Sequence, residues 1–366
     1  MYKKLMLALA AMLFLSACSA QDDNEQTPPP EITEVVGGGK NEYSIKLPFK
    51  TSPLRQVYAQ NYREIDVMEM GRGLQERSKA VFDPSKYYLA EGALIDQTRY
   101  NQLIYKRESE DNIYGLNPAD PITIDNVVIE KPVFVSDIVE LNFHKSKDSA
   151  TLNGVSFALV LKRIQTIDRD TGATLRLEDS VLYEIGVTLA QKLHSYIRTL
   201  EGASDIPIYI GLYVQESDED RLPGNYLPGY FIGQSVFESS RNGKFEKIED
   251  RWILLNSDVA LKTVPDLYAS NSEFTRNLKR FMGDENVGIV GKVYVGSKGA
   301  QQIVYEINTG SKTYLELHGL AESLKAQLSL FDSHTFPINA KIQVYTTTRI
   351  TVNKEAGKEA VIKEFN

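Results

Sequence analysis

An α+β fold with mixed helices and largely antiparallel sheets is the class this sequence predicts, and three observations carry that expectation. Helical and strand-like periodicities alternate irregularly along residues 43–366, without the strict strand-helix repetition of a doubly wound sheet. Runs 287–295 and 301–307, rich in Val, Ile and Tyr and separated by a Gly-containing turn, read as a hairpin. Helix, short loop, an apolar-Pro-Ile step and strand occur in that order twice, at 182–214 and 320–347, which suggests two similar lobes with a boundary near 256–271.

The first segment sets the compartment. Lys3 and Lys4 precede an unbroken apolar run from Leu5 to Leu15, and Leu15-Ser16-Ala17-Cys18 closes it. Eleven residues are too few to cross a hydrocarbon core, which needs about 20, while small residues before a cleavage point suit a signal peptidase. Leu-small-small-Cys is the pattern of a lipoprotein signal over 1–17. Cleavage between Ala17 and Cys18 would leave Cys18, the only cysteine in the chain, as a lipidated N-terminus. Two acyl chains anchor stably where one anchors marginally, since each buried methylene adds about 0.8 kcal/mol. The sequence therefore predicts a protein held on the outer face of the membrane, with lipoprotein-processing peptidases as its first partners.

Composition bounds the rest. With 42% hydrophobic and 25% charged residues the chain is of ordinary globular type. Its formal net charge of −8 becomes −10 once Lys3 and Lys4 leave. That balance argues against nucleic acid, which rewards clustered Lys and Arg. No disulfide can form without a second cysteine. Residues 18–42 are acidic, then proline-rich, then glycine-rich, and read as a tether of roughly 27 Å mean span. Gly37-Gly38-Gly39 lacks the Lys-Ser/Thr of a phosphate loop.

Within the body, a helix is expected over 56–81 with an interruption near Gly71 and Gly73. Residues 122–129 and 155–164 read as strands. The strongest helix covers 182–200, where Leu182, Ile185, Leu189, Leu193, Tyr196 and Leu200 recur at steps of three and four. A buried strand follows at 206–214, entered through Pro207, and an acidic loop at 216–221 ends it. Ser272 would cap a helix carrying Phe274, Leu278, Phe281 and Met282. Helix 320–331 and strand 341–347 close the pattern.

Catalytic constellations are missing from the sequence, so no enzyme activity, cofactor or metal is expected. His144, His194, His318 and His334 show no metal-ligand spacing, and His194 reads as a surface or boundary residue of the strong helix. Asp168-Arg169-Asp170-Thr171-Gly172 begins like a calcium loop, but its glycine comes one place early; a tight turn fits better. The most informative loop is 222–230, where two Pro-Gly steps would present Tyr226 and Tyr230 on a constrained segment able to bind a ligand such as a peptide or glycan. An envelope enzyme is the rival class, with Glu69 and Glu91 as its carboxylates; a solute-binding lipoprotein serving a transporter is another, and needs two lobes and a cleft.

Segments 66–94, Tyr114–Pro118, Leu152–Ser156, Asp205–Ile208, Leu222–Tyr226 and Val287–Lys292 together resemble the CamS family of sex-pheromone lipoproteins of Gram-positive bacteria. The resemblance implies that proteolysis of the discarded signal releases a short hydrophobic peptide, here Ala11-Met12-Leu13-Phe14-Leu15-Ser16-Ala17, which a receptor on responder cells would read in conjugation signalling. This heptapeptide is poorer in isoleucine than the family's best-known pheromone. The resemblance implies no molecular role for the folded body.

Overall fold

The computed structural model describes residues 34–50, 52–53, 55, 67–215, 227–238, 243–283 and 287–365. The signal, Cys18, the candidate heptapeptide 11–17, the acidic loop 216–221 and Tyr226 lie outside the described residues.

Strands β1 (Glu34–Gly39) and β2 (Glu42–Leu47) pair antiparallel, so the expected tether gives way to sheet nine residues early. Gly37 and Gly38 make this workable, with φ of 72° and 86° that other residues avoid. Helix α1 (Val67–Ser78) runs straight through the expected interruption. Gly73 is there for contact instead: a Cβ would lie 2.7 Å from the Phe231 ring. Strand β3 (Tyr88–Glu91) leads to the short helix α2 (Gln97–Tyr100), continued by a π turn over Asn101–Tyr105. The run 122–129 is two strands, β4 (Ile122–Ile124) and β5 (Val127–Ile129), because Asp125 and Asn126 both take positive φ and fold it into a tight hairpin.

Next come β6 (Val135–His144), β7 (Gly154–Lys162), and the small hairpin β8 (Ile164–Thr166) and β9 (Thr174–Arg176). The Asp168 carboxylate accepts from the Asp170 and Thr171 amides and tightens the turn of that hairpin. Helix α3 (Asp179–Arg198) buries Leu182, Leu189, Leu193 and Tyr196 of the expected stripe. His194 is buried as well, at 7% exposure, stacked on Phe237 with ring centroids 4.1 Å apart, and is no surface residue. Strands β10 (Ile208–Gln215), β11 (Tyr230–Phe237) and β12 (Glu246–Lys247) complete the first sheet, of order β1-β2-β3-β6-β7-β10-β11-β12.

The second sheet begins at β13 (Arg251–Leu254), so the chain changes sheets between Lys247 and Arg251, ahead of the expected 256–271. Helices α4 (Asp258–Thr263) and α5 (Pro265–Met282) follow. Ser272 does not start a helix: Pro265 takes the first helical position of α5, and the Ser272 hydroxyl instead bonds back to the Tyr268 carbonyl at 2.9 Å. Phe274 and Leu278 are core, whereas Phe281 is 55% exposed. Then come β14 (Gly288–Gly296), β15 (Gly299–Thr309), α6 (Tyr314–Gln327, capped by Thr313 and Glu316) with a 3-10 turn over Leu328–Phe331, β16 (Ile338–Val344), β17 (Thr347–Lys354) and β18 (Val361–Glu364). Their order is β13-β14-β15-β16-β17-β18.

The two halves repeat one topology. β3-β6-β7-α3-β10-β11-β12 and β13-β14-β15-α6-β16-β17-β18 share strand order, and in each only the middle pair is parallel, β7 with β10 and β15 with β16. Detail repeats too: Val155 N–H donates to the Pro207 carbonyl at 3.2 Å and Ile303 N–H to the Pro337 carbonyl at 3.1 Å. A register shift follows Leu212 in one half and Ile342 in the other, each four residues past the Pro-Ile step.

Burial separates the halves. β7 is buried at eight of its nine positions because α3 covers one sheet face and α1, with Met70 and Leu74, the other. β15 instead alternates, its Ile303, Tyr305 and Ile307 pointing into a core with α5 and α6. Among the described residues no helix is long and apolar enough to cross a membrane.

Candidate functional site

Tyr230 is the sequence-predicted binding residue that the structure describes, and it is not displayed by a loop. It is the first residue of β11, half-buried and paired with Val214. Gly229 before it is required by the close approach of strands, since a Cβ would lie 2.3 Å from the Val214 carbonyl oxygen. The Tyr230 hydroxyl donates to the Asp179 carboxylate, 3.1 Å from both oxygens, and accepts from Arg163 Nη2 at 2.8 Å. Arg163 also ion-pairs with Asp179 and donates from Nη1 to the Leu177 carbonyl at 2.8 Å. The triad thus ties the end of β7, the N-terminus of α3 and the start of β11 together. Asp179 sits in the first turn of α3, where the helix dipole favours a carboxylate.

This triad borders a cavity of about 500 Å³ between the two halves, lined by Asp179, Tyr183, Tyr230, Lys247, Arg251 and Val295 among others. The Lys247 ammonium lies 4.9 Å from the Tyr183 ring centroid, a cation–π contact that holds both at the rim. Around it, Arg77 of α1 pairs with Asp250 at 2.7 Å, and the Trp252 indole N–H donates to Glu69 Oε1 at 2.9 Å. Arg163, Asp179 and Tyr183 escaped the sequence reading. Arg163 gave a faint signal, as the second of two cations, Lys162 and Arg163, that follow the apolar run of the expected strand 155–164. Tyr183 gave none, lying off the apolar stripe of its helix.

The other candidates remain dispersed. Glu69 serves the Trp252 indole and Arg72, while Glu91 accepts from the Ser52 hydroxyl at 2.8 Å. His144 bonds through Nδ1 to the Thr151 carbonyl, and His318 through Nδ1 to Glu364. His334 stacks on Phe336. Burial and the Arg198 guanidinium push the His194 ring down to about 4, so it is a neutral acceptor for Arg198 Nε at 3.0 Å. Among the described residues no three His, Cys, Asp or Glu side chains are grouped to hold a metal ion.

Several solved structures are similar to the chain, two sex pheromone precursors among them. A sex pheromone precursor from Lactobacillus salivarius subsp. salivarius superposes with a TM-score of 0.77 at 20% identity, covering 91% of this chain and 99% of its own. The C-terminal domain of the sex pheromone staph-cAM373 precursor from Staphylococcus aureus superposes at 0.62 and 24% identity, covering 81% of this chain and 96% of its own. At these identities the likeness concerns the fold. No curated protein matches the chain in sequence. The family profile described as CamS sex pheromone cAM373 precursor matches residues 49–360, nearly the whole folded body, and the chain belongs to that family.

Proposed function

We propose that this chain is a lipid-anchored pheromone precursor: its signal yields the hydrophobic peptide Ala11–Ala17, and Cys18 carries a diacylglyceryl group that holds the body on the outer face of the membrane. The observation that supports this reading is Leu15-Ser16-Ala17-Cys18 closing an apolar run of eleven residues ahead of a body of the pheromone-precursor family. A nearly uncharged heptapeptide can leave the bilayer and still reach a receptor on another cell. The body would act by binding, without catalysis or cofactor.

Two measurements test it. Cys18→Ala is expected to abolish lipidation and to block cleavage at Ala17; normal cleavage with full membrane retention overturns the anchor. Mass spectrometry of the culture supernatant is expected to find AMLFLSA or a form one residue shorter, and synthetic peptide to change gene expression in responder cells where the purified body does not. A supernatant holding only random signal fragments, with no response at micromolar peptide, overturns the pheromone reading. Met12→Ile keeps export and should raise the response.

The cavity between the halves favours a second role for the body, extracytoplasmic ligand binding at Tyr230, with Tyr226 beside it in sequence. Tyr230→Phe removes one hydroxyl from the Arg163–Asp179 pair and is expected to cost about 1 kcal/mol of stability. Ligand binding adds a further expectation, that a small molecule co-purifying with the native protein is lost in Tyr230→Phe. Stability loss with no such molecule in either protein leaves Tyr230 a purely structural tie.

A further inference from the structure

A second cavity, of about 620 Å³, lies on the other side of the first half, beyond the end of α3. Asn142 and His144, at the end of a row on one face of β6, line it. Alternate residues of a strand share a face, so Ile138, Glu140, Asn142 and His144 line up, and only Ile138 belongs to the hydrophobic core. The switch from apolar to polar falls where α3 has ended, with Glu201 and Gly202 after it forming part of the cavity wall. A buried polar row on an inner strand is costly unless its groups are used.

Each group of the row has a defined state. Glu140 accepts the backbone N–H groups of Ala93, Leu94 and Ile95 at 3.0, 2.7 and 2.8 Å, fixing the adjacent wall. Asn142 is 6% exposed, and its Oδ1 has no hydrogen-bond partner among the described residues. His144 gives its Nδ1 proton to the Thr151 carbonyl at 2.8 Å, which leaves Nε2 as an acceptor. Burial, with Lys46 and Lys50 nearby, pushes the His144 ring below the usual range and keeps it neutral.

The rim carries both signs. Lys46 of β2 and Lys50 just after that strand bring ammonium groups, and Glu91, Asp148 and Glu201 bring carboxylates, Asp148 being paired with Lys147. Lys46 Nζ also donates to the Ser149 carbonyl at 2.7 Å, which holds the 148–152 loop over the site. A purely anionic ligand would face the carboxylates and a purely cationic one the lysines. Among the described residues no Phe, Tyr or Trp lines the cavity, so its only ring is the His144 imidazole and the broad stacking platform a sugar ring would use is missing. What remains is a donor-rich molecule carrying one charge of each sign.

We propose that this cavity binds a small zwitterion of amino-acid or short-peptide type, its ammonium held by Glu91 and its carboxylate by Lys46 and Lys50. The site is separate from the Tyr230 cavity, and depends neither on that reading nor on the signal-peptide one. The test uses full-length protein in detergent micelles, screened by thermal shift and titration calorimetry against the twenty amino acids, dialanine and trialanine. At least one is expected to raise the melting temperature and to bind with millimolar or tighter Kd. Its N-acetyl and carboxamide derivatives, each lacking one charge, are expected to bind about tenfold more weakly, the equivalent of one lost charge contact.

Lys50→Gln changes an exposed residue that the fold does not need and is expected to weaken binding about tenfold with the unliganded melting temperature unchanged; Glu91→Gln, which keeps an acceptor for the Ser52 hydroxyl, should weaken binding about tenfold through the ammonium. Tyr230→Phe should leave binding intact. The proposal is overturned if no member of the panel binds, if the two derivatives bind as well as their parent, or if Lys50→Gln and Glu91→Gln both leave affinity unchanged.

Discussion

Asp137→Asn is expected to make the protein more stable at pH 8 by about 3–4 kcal/mol and no more stable at pH 4. Asp137 is 1% exposed, at the register shift where β6 begins to pair with β7. Its Oδ1 accepts from the Tyr100 hydroxyl at 2.8 Å and from the Ile138 amide at 2.7 Å, while Oδ2 has no hydrogen-bond partner among the described residues. Burial outweighs those two bonds and pushes the carboxyl from 3.8 up to about 7.

The sign follows from which state can ionise. Below pH 4 the carboxyl is protonated both folded and unfolded, so it imposes no penalty. Between pH 4 and 7 the unfolded chain ionises and the folded one does not, and stability falls as pH rises; above 7 the loss is complete. A rise of that size corresponds to roughly 4 kcal/mol, at about 1.4 kcal/mol per pH unit. Asparagine copies the neutral acid's shape and keeps an acceptor for Tyr100. Urea unfolding at pH 4, 6 and 8 should show the gap between variant and parent open from near zero; a gap constant across that range would mean that charge burial is not its cause. His194 works in the opposite direction, since its depressed ring loses stability for the fold as pH falls from 6.5 towards 4. Only the difference between the two proteins isolates Asp137.

Glu140→Ala should destabilise the first half by about 3–5 kcal/mol, since each buried donor left without an acceptor costs about 1–3 kcal/mol. Three backbone N–H groups, those of Ala93, Leu94 and Ile95, would lose their acceptor at once in a corner where Gly92 already lies so close that a Cβ would come within 2.5 Å of the Glu140 Cβ. Burial pushes the Glu140 carboxyl up, and the three donors pull it back. Glu140→Gln keeps one acceptor oxygen and turns an amide against the remaining donor, so it should fall between parent and Ala. Hydrogen exchange of the 93–95 amides gives the local readout: protection should drop in the order parent, Gln, Ala. Unchanged protection in Ala would show that these amides have another acceptor.

Elements whose signal is local were legible before any coordinates. The stripe of α3 has helical spacing from Leu182 to Tyr196, the Pro207-Ile208 and Pro337-Ile338 steps mark where β10 and β16 begin, and the Gly-turn between β14 and β15 marks a hairpin. Strand β6 was not legible, because Asp137, Glu140 and Asn142 break the apolar pattern that identifies an inner strand. Asp137 and Glu140 are acceptable there only through partners distant in sequence, Tyr100 for the first and the 93–95 amides for the second.

By itself the sequence determined the α+β class, the twofold recurrence of helix and Pro-Ile strand, and the resemblance to the pheromone-precursor family, all of which depend on order and spacing along the chain. Tertiary structure alone decided that the recurrence is one topology built twice. It also decided that Tyr230 is a strand residue tied to Arg163 and Asp179, that His194 is buried against Phe237, and that polar residues of β6 line a cavity. The physical reason is the same in each case: a side chain's periodicity reports the face it presents, but its charge state and hydrogen bonds depend on groups brought to it by sheet register. Arg77 meeting Asp250, 173 residues away, leaves no mark on the sequence near either one.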